Sequence, residues 1–136
     1  MTDANLENKK TTHVLLIDDE ADFLFAIEAW MLSKGFRVST ATDGRKGIEL
    51  FKKDKPHIVF VDVLMPEMDG VETLKEIRKL DEKVPVILIT AFGLNKRIEE
   101  AEKYGVFGFF RKSQDFEQAA ALICDAIDDI EKMKGQ

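Results

Sequence analysis

The sequence predicts a single α/β domain, a parallel five-stranded sheet doubly wound by helices on both faces. Three observations carry this reading. Short, almost wholly apolar runs recur along the chain, as strands buried on both faces require. Longer stretches with apolar residues at helical spacing separate them. The length of 136 residues suits one domain, because domains usually run about 100–200 residues and a chain of this size buries roughly two-thirds of its unfolded surface.

Residues 1–12 are polar and aperiodic, which predicts a flexible tail ahead of a domain over 13–136. In the tail, Asp3 and Glu7 cancel Lys9 and Lys10, so the domain keeps the whole net charge of −6. The expected strands are Val14–Ile17, Arg37–Ala41, Ile58–Val61, Val86–Ile89 and Phe107–Phe110; only the second, RVSTA, is not predominantly apolar. The first helix is expected over Ala21–Lys34, with Gly35 just after it as a C-terminal stop. Gly44–Asp54 is the second, and Gly70–Leu80 the third, started by the turn at Asp69-Gly70. Asn95–Tyr104 is the fourth. Asp115–Lys132 is the fifth, with Phe116, Ala119, Ala120, Ile123, Cys124, Ile127 and Ile130 at helical spacing. Five strand–helix units imply helices on both sheet faces, and right-handed crossovers leave few topologies.

Several function classes fall away. No run reaches the ~18 apolar residues that span a bilayer. The first ten residues, MTDANLENKK, have no apolar signal core, so a cytoplasmic location is expected. Cys124 is the only cysteine, which excludes an internal disulfide and any multi-cysteine metal site. His13 and His57 read as structural, and Trp30 and Tyr104 as packing residues. The acidic balance argues against direct nucleic-acid binding, since phosphate-backbone affinity needs clustered Lys and Arg. No GxxxxGK[ST] or GxGxxG loop supports nucleotide binding.

Ligands of such sheets bind outside the carboxyl ends of the strands, so the residues there decide function. The first strand runs into Asp18-Asp19-Glu20, the third into Asp62, the fourth into Thr90, and the fifth into Arg111-Lys112. Three aspartates on one edge repel one another and call for a cation. A hard, oxygen-seeking dication such as Mg2+ fits, and it commonly shares its sphere with phosphate.

This set, with the loop DVLMPEMDG (Asp62–Gly70), closely resembles the receiver domain of two-component response regulators, of the stand-alone type, from about His13 into the last helix. The resemblance implies a flavodoxin-like (βα)5 fold with strand order 2-1-3-4-5. It implies that Asp62 accepts a phosphoryl group from a sensor histidine kinase or histidine phosphotransfer protein. Asp19 would bind Mg2+ directly and Asp18 mainly through water, with the backbone carbonyl of Leu64 as a further ligand. Thr90 matches the switch hydroxyl, Lys112 the phosphoryl-binding lysine, and Phe109 the aromatic switch residue. Phosphorylation would change the surface of the fourth helix, fifth strand and fifth helix, read by a separate effector protein. The only catalysis implied is of the chain's own phosphorylation and dephosphorylation. A homodimer through Ile127, Ile130 and Met133 of the last helix is a further expectation.

The sequence departs from this family's pattern in places. Ser113 follows Lys112 where the family usually has proline after a cis bond; the expectation is a trans bond, with Lys112 reaching the site on its flexible stem. Ser113 also favours a second reading, a binding module that works without phosphorylation. Phe109 lacks the hydroxyl of the common tyrosine, so it can act by packing alone. Leu64 and Phe92 flank the path of hydrolytic water and cannot orient it, which predicts a long-lived acyl phosphate. Leu64 also stands where an aspartyl phosphatase would need a second Asp, which argues against that enzyme class.

Overall fold

The computed structural model describes residues 11–91 and 96–134. Five strands, β1 (His13–Ile17), β2 (Arg37–Ala41), β3 (Ile58–Asp62), β4 (Val86–Thr90) and β5 (Gly108–Arg111), alternate with five helices. The helices are α1 (Ala21–Ser33), α2 (Gly44–Lys53), α3 (Gly70–Leu80), α4 (Lys96–Glu102) and α5 (Phe116–Lys134). All strand pairs are parallel and the order is β2-β1-β3-β4-β5, as expected.

The apolar runs are strands because they are sheltered on both sides. Every residue of β1, β3 and β4 is buried. Leu15, Ile17, Val59, Val61 and Leu88 pack with Phe51 of α2, with Val71, Leu74 and Ile77 of α3, and with Ile98 and Ala101 of α4. Val14, Leu16, Ile58, Phe60, Ile87, Ile89 and Phe110 pack with Leu24, Ile27 and Met31 of α1 and Ala119, Ile123 and Ala126 of α5. Each Val, Leu, Ile, Phe or Met side chain among them contributes about 1.5–3 kcal/mol when fully buried. The weak apolar character of β2 follows from its place at the sheet edge, where Arg37 is exposed and Val38, Ser39 and Thr40 are half-buried.

Helix ends follow from local chemistry. Gly35 takes φ +92° just after α1, a left-handed conformation that glycine adopts without steric cost. Asp43 caps α2 through Lys46 N. Asp69 and Glu72 form a reciprocal capping box at α3. Asp18 and Asp19 do not cap α1; its first flanking residue is Glu20, which makes no side-chain cap. Of the expected tail, residues 1–10 lie outside the described part, while Thr12 is buried and its carbonyl accepts Arg37 N at 3.0 Å.

Candidate functional site

The strand register assembles the site. Ile17 pairs with Val61, so the next residues, Asp18 and Asp62, stand level. Asp62 pairs with Ile89 and Thr90 with Arg111. Thr90 therefore sits one step beyond Asp62, and Lys112 one step beyond Arg111. The two-residue pleat also sorts them by face. Asp18, Asp62 and Lys112 follow Leu16, Phe60 and Phe110 on the α1/α5 face. Thr90 follows Leu88, whose register partner is Phe109, on the α4 face.

Lys112 crosses the sheet edge to hold the acids together. Its Nζ lies 3.0 Å from Asp62 Oδ2, 3.2 Å from Asp18 Oδ1 and 3.0 Å from Asp18 Oδ2, and pairs closely with Glu20 Oε1. The peptide bonds of the described residues are all trans, so Lys112 reaches Asp62 from a trans loop, as expected. Its backbone N–H donates to Thr90 O at 2.9 Å, which ties the lysine to the end of β4. Burial alone would lower the lysine's pKa, but hydrogen bonds to Glu20, Asp62 and Asp18 outweigh it and hold the ammonium charged.

Asp18 is fully buried and Asp62 5% exposed. Burial, with Asp62 repelling it, pushes Asp18 up to about 6 despite its bond from Glu20 N and the pull of Lys112. Asp18 Oδ1 accepts Glu20 N at 2.8 Å, whereas Oδ2 makes no hydrogen bond among the described residues. One ammonium thus faces three carboxylates, those of Asp18, Glu20 and Asp62, whose nearest oxygens all lie within 4.8 Å of one another. This surplus of negative charge, all on oxygen and with Asp18 Oδ2 held only by the ion pair to Lys112, fits a hard dication.

Asp19 is exposed and stands outside that triad. Glu20 is still in extended backbone (φ −83°, ψ 99°), and residues two apart in extended chain share a side. Asp18 and Glu20 therefore face the cluster together. That period-two signal was present in Asp18-Asp19-Glu20 and would have marked Glu20.

The loop after β3 is shaped by backbone needs. Val63 N donates to Ile89 O at 3.0 Å and Gly70 N to Val63 O at 3.0 Å, closing the loop on its own base. A Cβ at Gly70 would lie 2.2 Å from Asp62 O, so only glycine fits. Glu67 at the loop tip takes φ 63°. Leu64 N donates to Asp62 Oδ1 at 3.1 Å, and the Leu64 side chain is 55% exposed. Met65 is buried in the core. Thr90 is 7% exposed, and Phe109 is half-buried against the core on its face. Phe92 lies outside the described residues.

Sequence reading missed a second ionic group beside the site. Arg97 of α4 holds Asp69 by Nε–Oδ2 at 3.0 Å and Nη2–Oδ1 at 2.8 Å, and Glu100 at 2.6 Å. Glu100 accepts Lys75 Nζ of α3 at 3.0 Å. Arg78 of α3 donates to Tyr104 O and Gly105 O at 2.7 and 2.9 Å. The short α4 is therefore tied to α3 at both ends.

A family model described as response regulator receiver domain matches residues 14–124. The chain is 34% identical over 119 residues to the transcriptional regulatory protein GlrR of Escherichia coli, covering 88% of this chain and 27% of GlrR. It is 41% identical over 91 residues to the probable transcriptional regulator ycf27 of Guillardia theta, covering 67% of this chain and 35% of the relative. The chain thus spans about a third or less of these curated relatives. Among solved structures it is similar to a response regulator receiver domain protein from Clostridium thermocellum. That match has a TM-score of 0.83 and 28% identity, covering 90% of this chain and 98% of the other. A CheX–CheY–BeF3–Mg2+ complex from Borrelia burgdorferi matches with TM-score 0.78 and 27% identity, covering 85% and 89%.

Proposed function

Because the chain belongs to the response regulator receiver domain family, the phospho-accepting switches of two-component signalling, we propose that Asp62 is the residue that takes the phosphoryl group. The observation that carries this is Lys112 Nζ at 3.0 Å from Asp62 Oδ2, with Leu64 N–H on the other oxygen. A nucleophilic carboxylate, a fixed ammonium and a backbone donor thus meet at one sheet edge.

A carboxylate oxygen of Asp62 attacks phosphorus and forms an acyl phosphate, while the bond from phosphorus to the donor breaks and the donor keeps the electron pair. Catalysis of this transfer is mostly positioning and charge stabilisation. Lys112 offers its charge to one phosphoryl oxygen, and the Thr90 hydroxyl donates to another. Drawing Thr90 inward alters the packing space of Phe109 on the same face, a packing switch that passes to α4, β5 and α5.

The acidic cluster supports Mg2+ as the metal. Asp18 and Asp62 of that cluster would hold it together with the exposed Asp19 and the Leu64 carbonyl, which the family resemblance adds, while Glu20 stays with Lys112. When bound, the ion neutralises charge on the transferred group and on the carboxylates.

Family membership implies kinases and effectors as partners. We assign the donor side to a histidine kinase or histidine phosphotransfer protein in the cytoplasm and the output side to an effector. The chemistry is confined to the chain's own phosphorylation and dephosphorylation. Ser113 is the feature that favours a phosphorylation-independent module; Lys112 at 3.0 Å from Asp62 supports the phospho-acceptor reading over it. Self-association through Ile127 and Ile130, half-buried on α5, is tested by sedimentation with and without a phosphate mimic; the Met133 side chain lies outside the described residues.

Amide NMR spectra with Mg2+ and beryllofluoride test the acceptor. Shifts are expected around Asp62, Thr90 and Lys112, and their persistence in Asp62→Ala would contradict the assignment.

A further inference from the structure

Lys112 has a contact that the phosphoryl chemistry does not use. Its Nζ lies 5.0 Å from the ring centroid of Phe23, in the first turn of α1. The Lys112 side chain is only 13% exposed. The ring is itself braced: Phe110 stands at 6.5 Å and Phe116 at 6.1 Å edge-on, and Trp30 supports Phe116 at 6.1 Å. An ammonium at this distance from an aromatic ring is held by the ring's quadrupole.

The ring matters because two of the three acidic holds on the ammonium, Asp18 and Asp62, are shared, which leaves only the exposed Glu20 and the ring. Asp18 and Asp62 anchor Lys112 here; on the reading above, they also face the metal, and Asp62 loses its charge on phosphorylation. Metal binding competes with the lysine for both acids, and phosphorylation moves its partner from an Asp62 oxygen to a phosphoryl oxygen, so the ammonium must be held in place while its acidic partners change. Four rotatable bonds let a lysine wander. Phe23 is untouched by metal or phosphoryl group.

We propose that Phe23 is a positioning residue that seats the Lys112 ammonium through metal binding and phosphoryl transfer. The proposal rests on the Asp62 reading, and its test separates the two. In Phe23→Leu most of the bulk remains and the π face goes; in Phe23→Trp the face is kept. Thermal melts of the full chain establish that both fold. The first readout is the upfield ring-current shift of the Lys112 ε-methylene protons, measured with Mg2+ and no donor. The second is the rate of labelling by acetyl phosphate.

Wild type and Phe23→Trp are expected to keep the shift in Mg2+. Phe23→Leu is expected to lose it and to react about three- to tenfold more slowly, the range a single cation–π contact spans. Loss of the shift in wild type on adding Mg2+, or wild-type labelling by Phe23→Leu, would overturn the seat. If wild type takes no phosphoryl group, the Asp62 reading fails, and the Mg2+-loaded spectra still decide the seat.

Discussion

Lys112 and Asp62 are fifty residues apart in the chain, yet Nζ and Oδ2 meet at 3.0 Å. The contact exists because β5 and β3 flank β4 in one parallel sheet and because the lysine stem spans the gap. Lys112→Ala leaves Asp18, Glu20 and Asp62 without their common cation. It is expected to slow labelling by a small phosphodonor at least about tenfold, in line with loss of one charge-stabilising donor. Stopped-flow rates with acetyl phosphate measure this, and unchanged rates would remove Lys112 from the mechanism.

Asp18 predicts a pH slope in metal-free stability. Its folded pKa of about 6 lies above the unfolded 3.8, so the folded state binds the extra proton. Stability from this group is therefore greatest below about pH 4 and is lost as pH rises to about 6. Two units correspond to about 3 kcal/mol as an upper bound, reduced because Asp18→Asn also weakens the hold on Lys112. Urea unfolding without metal is expected to show Asp18→Asn more stable than wild type at pH 7, by about 1–2 kcal/mol, with the advantage fading by pH 4. A pH-independent difference would contradict the burial account.

Mg2+ binding separates the neighbouring acids. Asp62→Asn and Asp19→Asn, both in the proposed ligand set, are expected to weaken Mg2+ affinity by about tenfold or more, and Glu20→Gln, outside that set, by less. Calorimetric titration decides it. The reverse ranking would assign the ligand role to Glu20.

The ties on α4 are ionic and testable. Asp69 both caps α3 and receives Arg97, so Asp69→Ala is expected to cost about 1–2 kcal/mol, and Arg97→Ala about 1 kcal/mol or less. Hydrogen exchange over Lys96–Glu102 is expected to speed up in Arg97→Ala while α3 stays protected. Equal speeding of both helices would contradict a local tie.

Acyl phosphate lifetime follows from Leu64, whose exposed side chain cannot orient a water. Decay in Mg2+ over minutes to hours is expected, and Leu64→Asn is expected to shorten it. Decay in seconds would refute this.

Much of this was legible in the residues. The runs at Val14, Ile58 and Val86 read as doubly buried strands, and the polarity of RVSTA, noted in the sequence, is explained by its edge position in the sheet. Strand ends shifted slightly: Asp62, Thr90 and Arg111 lie inside strands, because backbone pairing extends into polar positions that hydropathy reads as loop. Asp18, Asp62 and Thr90 each directly follow an apolar run and Lys112 follows one a residue later, which is the signal that points to them. Glu20 was passed over because an acid before a helix reads as solvated. Arg97 and Phe23 left no signal, since pairing Arg97 with Asp69, or Phe23 with Lys112, is visible only once the chain is folded.

The central claim is that Asp62 accepts the phosphoryl group. Intact-mass spectrometry after incubation with acetyl phosphate and Mg2+ tests it most directly, comparing wild type with Asp62→Ala. A single added phosphoryl group in wild type, absent from the variant, is the predicted result. Equal labelling of both, or none in wild type, would contradict it.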